Sequence, residues 1–423
     1  MGDYTVVEIC AGAGGQSLGL DRAGFKHVLA VELDPTAAAT LSLNKPKWDV
    51  RIGDVADPDV WQPSDFSPEN SGEPISLFAG GVPCPPFSIA GKQLGTEDER
   101  DLFAWAIEQV SVLRPRAVLL ENVKGLSQAR FAAYRQHVLD RLHEFGYEAE
   151  WRLLNAADFG VPQLRPRFVL VAMEPESFAH FHWPHGKTKH RSVGQVLKAL
   201  MARDGWEGAS AWAKSANRIG PTIVGGSKKH GGADLGPTRA KAAWAALGVD
   251  AKGVADAPPQ PGDTFEVGPR LTLDMVKRIQ GWDDREFKWQ FEGRKTSVYR
   301  QIGNAFPPPV AKALGESIKA AIEKSAPMRE ESLVQNHADA FVKTLKEADG
   351  FITGEQIMKR SELTVSDADF DRRMAAIEKD FHVEITLASG GRPAYRLGEF
   401  KGFLGQADHK RHVYIQTQRS RIS

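Results

Sequence analysis

The stretch Ile75-Ser76-Leu77-Phe78-Ala79, followed by Gly80-Gly81-Val82-Pro83-Cys84-Pro85-Pro86-Phe87-Ser88, decides how the rest of the chain is interpreted. Its first five residues form an apolar run typical of a buried strand in a parallel sheet. Three prolines in the next nine residues exclude a helix and predict a rigid loop. Because open α/β folds bind ligands at the carboxyl ends of their strands, the loop predicts a functional site with Cys84 as nucleophile. A buried structural cysteine is the alternative, and the loop alone does not separate the two.

Short strand patterns and helical patterns alternate on both sides of this loop, as far as about residue 173. Asp34 and Pro35 supply an N-cap and a first-turn proline for one helix, and residues 102–113 and 131–145 have helical periodicity. Such alternation predicts an α/β fold with a doubly wound sheet. The predicted strands are residues 5–9, 28–32, 75–79, 117–121 and 167–172.

Length and composition indicate a soluble globular protein with two or three domains. The chain has 423 residues, of which 42% are apolar and 26% are charged. No apolar run approaches the length of a bilayer span. The only two cysteines, Cys10 and Cys84, exclude a disulfide framework and favour a reducing compartment, so we expect a cytoplasmic protein. Basic and acidic residues balance at 54 each, and the overall charge therefore indicates no particular partner.

A glycine-rich turn, Cys10-Ala11-Gly12-Ala13-Gly14-Gly15, follows the first predicted strand and precedes a helix. Glycines in such a turn let the backbone approach a cofactor closely, and Glu32, which ends the second strand, can bind ribose hydroxyls. Asp54, at the next strand end, offers a second acid for an adenine amino group. A tight structural connection, a phosphate-binding loop and a turn aspartate are the alternatives, although the glycine spacing matches neither the Walker loop nor a clean dinucleotide fingerprint.

Two further polar motifs belong to the same edge of the predicted sheet. Glu121-Asn122-Val123 ends a strand, as the Cys84 loop does, so the two should lie near each other unless Glu121 is simply solvated. Gln163, Arg165 and Arg167 occupy every second position of an extended segment. Successive residues of a strand point to opposite faces, so these three side chains should lie on the same face. That segment is either a charged sheet edge or an anion-binding ribbon.

Six motifs, taken in order, resemble the motif series of the DNA (cytosine-5) methyltransferases. The resemblance extends over roughly residues 5–322, and the order and spacing make it specific where any single motif would not be. It implies a Rossmann-like methyltransferase sheet, S-adenosyl-L-methionine as cofactor and double-stranded DNA as substrate. The motifs are Gly12-Ala13-Gly14-Gly15, Pro83-Cys84-Pro85-Pro86-Phe87-Ser88, Glu121-Asn122-Val123, Gln163-x-Arg165-x-Arg167, Arg270-Leu271-Thr272 with Gln280-Gly281-Trp282, and Gln301-Ile302-Gly303-Asn304-Ala305.

The resemblance also implies the catalytic roles. Cys84 would add as a thiolate to carbon 6 of cytosine, which makes carbon 5 nucleophilic enough to accept a methyl group. Glu121 would hydrogen-bond N3 and the exocyclic amine of the base. Arg165 and Arg167 would supply positive charge near the adduct, a setting that lowers the pKa of a cysteine.

Cytosine inside a duplex is out of reach, so the target base would be flipped into the pocket, with Ser88 and Lys92 as contacts to the DNA. One departure from the family is Glu8-Ile9-Cys10, where Asp-Leu-Phe is usual, and it removes an aromatic contact to the cofactor. The residues that match the family's cofactor site are Gly12, Gly14, Glu32, Asp54, Pro83, Leu102 and Asn304.

We expect three parts along the chain. Residues 1–186, completed by residues 296–325, would form the catalytic domain, and residues 187–295 a small mixed target-recognition domain. Residues 326–423 would form a C-terminal extension, in which helical patterns precede two short strands around a glycine turn. That order predicts an α+β, winged-helix-like fold, which would contact DNA, contact a partner or pack on the rest of the protein.

Residues 187–269 carry 12 basic and 7 acidic residues, an excess of positive charge in an otherwise neutral chain. The glycine-rich stretch 220–232 contains Thr222, Lys228 and Lys229, which we expect to contact DNA, because glycines permit close approach and lysines neutralise phosphates. A solvated loop without a ligand is the alternative.

Two other functions remain open at this point. A transfer-RNA cytosine-5 methyltransferase has the same motifs, and a non-catalytic DNA-binding relative would keep the fold. The long basic region favours DNA, and the presence of both Cys84 and Glu121 favours an enzyme. We therefore expect a monomer without a metal site, acting as the modification enzyme of a restriction-modification system beside a partner endonuclease.

Overall fold

A computed structural model describes residues 3–83, 100–128, 131–186, 189–225, 232–329, 339–388 and 390–401. Five predicted site residues lie outside these ranges: Cys84, Ser88, Lys92, Lys228 and Lys229. Within the described ranges, no helix is long and apolar enough to cross a membrane.

One mixed sheet forms the centre of the protein. Its strands are β1 (Tyr4–Ile9), β2 (Phe25–Glu32), β3 (Val50–Ile52), β4 (Leu77–Gly80), β5 (Ala117–Val123), β6 (Glu148–Asn155) and β7 (Pro166–Met173). Their order in the sheet is β3-β2-β1-β4-β5-β7-β6. β1 to β5 run parallel, whereas β7 runs antiparallel to both β5 and β6. The predicted α/β fold is confirmed, and the antiparallel strand at one side makes the sheet mixed.

All five predicted strands are present, but that set lacked β3, which was implied only by Asp54 at its end, and β6. The sequence of β6 alternates between polar and apolar residues from Glu148 to Leu153, which is itself a strand pattern. The prediction relied on continuous apolar runs, which are typical of strands buried on both faces, and β6 has no such run. β6 is an edge strand, and Arg152 and Leu153 in its middle are exposed.

Helices cover both faces of the sheet. Those before residue 330 are α1 (Gly15–Ala23), α2 (Pro35–Asn44), α3 (Pro68–Ser71), α4 (Arg100–Leu113), α5 (Ala132–Glu144), α6 (Pro175–Phe178), α7 (Val193–Met201), α8 (Ala209–Ser215), α9 (Thr238–Ala245), α10 (Leu273–Ile279), α11 (Lys295–Asn304) and α12 (Pro308–Ile322). Successive strand residues point to opposite faces, so Phe78 and Leu120 join the core cluster of α4 and α5, whereas Leu77 and Leu119 join that of α1 and α12. The sheet is thus buried on both sides.

The short helices α7 to α10 pack around an apolar cluster that continues to Leu18 of α1, Leu41 of α2 and Ile302 of α11. Trp212, Trp244 and Trp282 are buried in it together with Met275. Two backbone hydrogen bonds join this region to the segment before β7, from Leu164 N to Gly220 O at 2.8 Å and from Gly220 N to Pro162 O at 3.0 Å. The division of the chain into three domains stays a prediction, and this cluster is shared between residues 189–294 and the helices beside the central sheet.

The C-terminal extension contains α13 (Ala340–Lys346), β8 (Ile352–Thr353), α14 (Gly354–Arg360), α15 (Asp367–Asp380), β9 (Phe381–Leu387) and β10 (Pro393–Phe400). Three helices and a terminal hairpin are the elements predicted for a winged-helix-like fold, and the small sheet has the order β8-β10-β9. Phe341 and Ile377 share a core cluster with Val138 of α5, and Lys346 Nζ lies 2.5 Å from Asp140 Oδ2. The extension therefore packs on α5 of the catalytic region.

Ion pairs neutralise much of the positive charge of the described extension. A phosphate backbone attracts basic side chains that lack carboxylate partners, and paired side chains bind it weakly. Packing on the catalytic region is therefore favoured over a second DNA contact for this part of the chain. The pairs are Lys343–Glu347, Lys346–Asp140, Arg372–Asp369, Arg373–Asp339, Arg392–Glu355 and Arg396–Glu384.

A substitution at Gly19 tests how closely α1 packs against α12. In a solvent-exposed helix, Gly→Ala stabilises by about 1 kcal/mol. At Gly19 the added Cβ would lie 2.5 Å from Pro308 O and would overlap the Cβ of Ala311, so Gly19→Ala should instead destabilise by about 1–3 kcal/mol. Thermal unfolding measures the difference. Gly350→Ala is the matched control, because no atom lies within 4 Å of its added Cβ. Equal unfolding temperatures for the two variants would contradict the close approach of α1 and α12.

Candidate active site

A cavity of about 350 Å³ lies where the carboxyl ends of β1 to β5 meet α11. Parallel strands end at the same edge of a sheet, so side chains that are distant along the chain converge there. Six of the seven residues predicted for the cofactor site line this cavity, together with Glu121. They are Gly12, Glu32, Asp54, Pro83, Leu102 and Asn304.

Gly14, the seventh predicted residue, is not among the residues that line the cavity. It is the N-cap of α1 in the left-handed conformation, with φ 90°, and a side chain there would collide with Trp289 and Leu41. The Trp289 indole Nε1 also donates to Ala13 O at 2.8 Å. Gly14 therefore shapes the turn, and its contact with a cofactor stays a prediction.

Glu32 ties the glycine turn to the end of β2. Its two carboxylate oxygens accept hydrogen bonds from Gly12 N at 2.7 Å and from Asp34 N at 2.8 Å. Burial raises the pKa of Glu32, and these backbone donors oppose the shift. Because each oxygen has a second lone pair, the carboxylate can still accept from a ligand in the cavity. Glu32 thus combines a structural role with the predicted ribose contact.

Asp54 has one oxygen available for a ligand. The carboxylate is buried, and Oδ1 accepts from Ala56 N at 3.1 Å, which is the turn interaction considered as its alternative role. Within the described part of the chain, Oδ2 has no hydrogen-bond partner although the side chain lines the cavity. A buried acceptor without a partner is costly, and an amino group in the cavity would satisfy it. The geometry therefore suits the predicted contact with adenine.

Glu121 and Arg167 meet at this edge because β7 runs antiparallel to β5. That reversal pairs Val123 with Arg167, so the start of β7 lies beside the end of β5. Arg167 Nε is 3.3 Å from Glu121 Oε2, and both side chains are largely buried. Burial raises the pKa of Glu121, whereas the guanidinium groups of Arg167 and Arg165 oppose the shift. The Glu121 carboxyl therefore keeps its proton to a higher pH than the carboxyl of an exposed glutamate does.

Arg165 and Gln163 are buried connectors. Arg165 Nη1 donates to Ile223 O at 2.8 Å, and Nη2 donates to Gly303 O at 2.7 Å and to Ala305 O at 3.0 Å. Gln163 Nε2 donates to Gln280 Oε1 at 2.6 Å, and its Oε1 accepts from Ile223 N at 2.7 Å. Arg165 therefore joins β7, the residue 223 segment and the end of α11, and its proposed charge effect on the reacting base stays a prediction.

Thr222 lies beside this connector. Its hydroxyl donates to Leu164 O, so the predicted DNA contact is held next to the segment that carries Arg165. The side chain is partly exposed. Thr222 is therefore accessible to a ligand that approaches between residues 164 and 222.

Three residues that the sequence analysis did not assign also line the cavity: Glu8, Gln16 and Arg300. Glu8 pairs with His27 across β1 and β2, with His27 Nε2 2.7 Å from Glu8 Oε2. Glu8 lies in a buried strand and Gln16 in the buried first turn of a helix. A polar residue in such an element is a signal that identifies both as candidate site residues. Arg300 has no such local signal, because only the return of α11 brings it to the cavity.

Residues 4–320 match the family described as C-5 cytosine-specific DNA methylase. The chain belongs to this family. This DNA methylase is 59% identical to the type II methyltransferase M.NaeI of Lentzea aerocolonigenes over 423 residues, the full length of both. It is 46% identical to the type II methyltransferase M.NgoMIV of Neisseria gonorrhoeae over 325 residues, which are 76% of this chain and 99% of that relative.

A solved structure supports the fold of this DNA methylase. The Entamoeba histolytica methyltransferase EhMeth has a TM-score of 0.50 at 14% identity, and the match covers 76% of this chain and 99% of that chain. At this identity the likeness concerns the fold alone. The Rossmann-like methyltransferase fold and the family predicted from the motifs are both confirmed, and the protein is a DNA (cytosine-5) methyltransferase.

The raised pKa of Glu121 predicts a pH-dependent difference in stability between the wild type and Glu121→Gln. A carboxyl whose pKa rises on folding contributes stability that is fully present below its unfolded pKa, near the ordinary 4.5, and that is lost as the pH rises through the folded value. Glutamine does not titrate. The free energy of unfolding of the wild type should therefore fall relative to the variant, by at most about 1.4 kcal/mol per pH unit above about pH 4.5.

Urea unfolding of both proteins from about pH 5 to about pH 8 measures this difference, since the midpoint follows stability at constant slope. A difference that stays constant over that range would mean that Arg167 keeps the carboxylate ionised throughout, which contradicts the dominance of burial.

Proposed function

We propose that this enzyme transfers the methyl group of S-adenosyl-L-methionine to carbon 5 of a flipped cytosine in one short double-stranded DNA sequence. We further propose that it is the modification enzyme of a type II restriction-modification system. The names of M.NaeI and M.NgoMIV as type II methyltransferases support this assignment at 59% and 46% identity.

The charge of the cavity is the observation that carries the cofactor assignment. Among the described residues that line it, five are acidic and one is basic: Glu8, Glu32, Asp34, Asp54, Glu121 and Arg300. Such a wall repels the phosphates of a nucleotide cofactor and favours a positively charged ligand. A sulfonium nucleoside meets that condition and supplies an electrophilic methyl group when bound. The residues therefore fit S-adenosyl-L-methionine, with Glu32 toward the ribose and Asp54 toward the adenine.

The same edge of the sheet supports the proposed chemistry on cytosine. Cys84 follows Pro83, which lines the cavity, so its thiolate is proposed to add to carbon 6 and form the C–S bond. Glu121, in its protonated form, would donate to N3 and thereby stabilise the negative charge that the addition places on the base. Carbon 5 would accept the methyl group as the sulfur–methyl bond breaks and S-adenosyl-L-homocysteine leaves, and loss of the carbon 5 proton to water would then re-form the double bond and expel Cys84 as a thiolate. Arg167 would hold Glu121 in place.

DNA recognition is proposed to involve two parts of the chain. Ser88 and Lys92, on the Cys84 loop, would contact the flipped nucleotide and its neighbours. Thr222, Lys228 and Lys229 would contact the DNA from the region of residues 187–295, which we propose as the target-recognition domain. The extension of residues 326–423 would then be a third domain, outside the reaction.

Sequencing after bisulfite treatment tests the function directly. The wild type and Cys84→Ser would each be expressed in a host without cytosine-5 methylation, and both DNA and transfer RNA would be sequenced. We expect methylated cytosine in one short DNA sequence with the wild type and none with Cys84→Ser, because a hydroxyl is far less ionised than a thiol at neutral pH. Methylation of transfer RNA alone would overturn the proposal in favour of the RNA enzyme. An active Cys84→Ser variant would overturn the mechanism.

The cofactor contact of Asp54 predicts a selective loss of affinity. Asp54→Ala should weaken binding of S-adenosyl-L-methionine on the order of 10-fold, since one hydrogen bond to a charged group contributes about 1.5–3 kcal/mol. DNA binding without cofactor should stay unchanged. Isothermal titration calorimetry measures the first and fluorescence anisotropy the second, with the exposed Asp59→Ala as control. Loss of DNA binding with normal cofactor affinity would remove Asp54 from the cofactor site.

A further inference from the structure

Gln16 has an unusual environment for a buried amide. It is the second residue of α1, only 3% of its surface is exposed, and it lines the cavity. Neither Nε2 nor Oε1 has a hydrogen-bond partner among the residues that the structure describes. Buried side-chain amides in native proteins nearly always have partners, because an unpaired donor or acceptor loses its hydrogen bonds to water without replacement. The two free atoms of Gln16 therefore indicate a ligand group that pairs with both.

Gln16 lies in a different part of the cavity from the residues that suit the adenosine. Glu32 ends β2 and Asp54 follows β3, on one side of β1 in the sheet order. Gln16 follows the glycine turn after β1, and the preceding Gly15 lies so close to Phe306 O and the Ala305 Cβ that a side chain there would overlap them. The end of α11, with Asn304, therefore lies beside the first turn of α1. The cavity extends from the two acids to this junction.

The chemical groups at this junction suit a zwitterion. The first turn of α1 presents backbone N–H groups that favour a negative group. Arg300, on the same wall, has no ion pair with any described residue. An amide provides a donor at Nε2 and an acceptor at Oε1, which match a carboxylate and an ammonium group respectively. An α-amino acid carries both charges on adjacent atoms.

We propose that Gln16 recognises the amino-acid end of the cofactor, with Nε2 donating to its carboxylate and Oε1 accepting from its ammonium group. This inference rests on the proposed function, because it assumes S-adenosyl-L-methionine in the cavity. It makes Gln16 a specificity-determining residue that separates the complete cofactor from ligands with only the adenosine part.

Two probes isolate that end of the ligand. S-adenosylhomocysteine contains the adenosine, the sulfur and the amino acid, whereas 5′-methylthioadenosine contains the adenosine and the sulfur alone. Calorimetric titration of the full chain with each probe would compare the wild type with Gln16→Leu. We expect Gln16→Leu to weaken S-adenosylhomocysteine binding on the order of 10-fold and to leave 5′-methylthioadenosine binding unchanged, since hydrogen bonds to charged groups are among the strongest.

The stability of the ligand-free protein provides a second measurement. Replacement of an unpaired buried amide by an apolar side chain of similar size removes a desolvation cost, so Gln16→Leu should unfold at the same or a higher temperature than the wild type. Gln136→Leu is the matched control, because Gln136 is also buried in a helix and its Oε1 also lacks a described partner, but its Nε2 donates to Asp140 at 2.7 Å, and it packs on the opposite face of the sheet. It should unfold at a lower temperature and bind both probes normally.

The possible results separate this inference from the proposed function. A wild type that binds neither probe would contradict the cofactor assignment itself. A wild type that binds S-adenosylhomocysteine, with Gln16→Leu equally weakened for both probes or weakened for neither, would overturn only the role of Gln16. A lower unfolding temperature of ligand-free Gln16→Leu would also overturn it, because the amide would then stabilise the fold through a protein partner.

Discussion

The buried guanidinium of Arg165 is the interaction on which the arrangement of the site depends. It donates to the carbonyls of Ile223, Gly303 and Ala305, which lie 58 to 140 residues further along the chain. Arginine can satisfy so many carbonyls because its five N–H donors lie in one rigid plane. Since Ala305 directly follows α11, the same contacts hold the far wall of the cavity against the start of β7. Loss of Arg165 would remove its hydrogen bonds to Ile223 O and Gly303 O, leave Ala305 O with Gln280 Nε2 alone, and release that wall.

The cofactor and the DNA place opposite demands on the charge of this protein. The cavity wall is acidic, which suits a cationic cofactor, whereas a DNA backbone requires basic side chains. The two demands meet at Glu121 and Arg167, which lie 3.3 Å apart, between the proposed sites of the cofactor and of the base. Burial raises the pKa of Glu121, and a protonated carboxyl both reduces the negative charge there and can donate to the base. The overall charge does not reveal this separation of acidic and basic side chains, because the chain has 54 residues of each kind.

The C-terminal extension distinguishes the two relatives. M.NaeI matches the full chain, whereas M.NgoMIV matches 76% of it with nearly all of its own length, close to the length of the family region at residues 4–320. The extension packs on α5 through Phe341 and Ile377 and pairs its basic residues internally or with Asp140. These contacts suit a domain that is fixed to the catalytic region.

The sequence by itself determined the parts of this protein that depend on local pattern. Apolar runs identified β1, β2, β4, β5 and β7, and the residue types at strand ends identified Glu32, Asp54 and Glu121, because parallel strands bring their carboxyl ends together whatever the details of packing. Only the tertiary structure decided the antiparallel direction of β7, the connecting role of Arg165 and the unpaired amide of Gln16. Each of these depends on which atoms from distant segments become neighbours. A buried side chain acquires its role from those neighbours, and local sequence does not contain them.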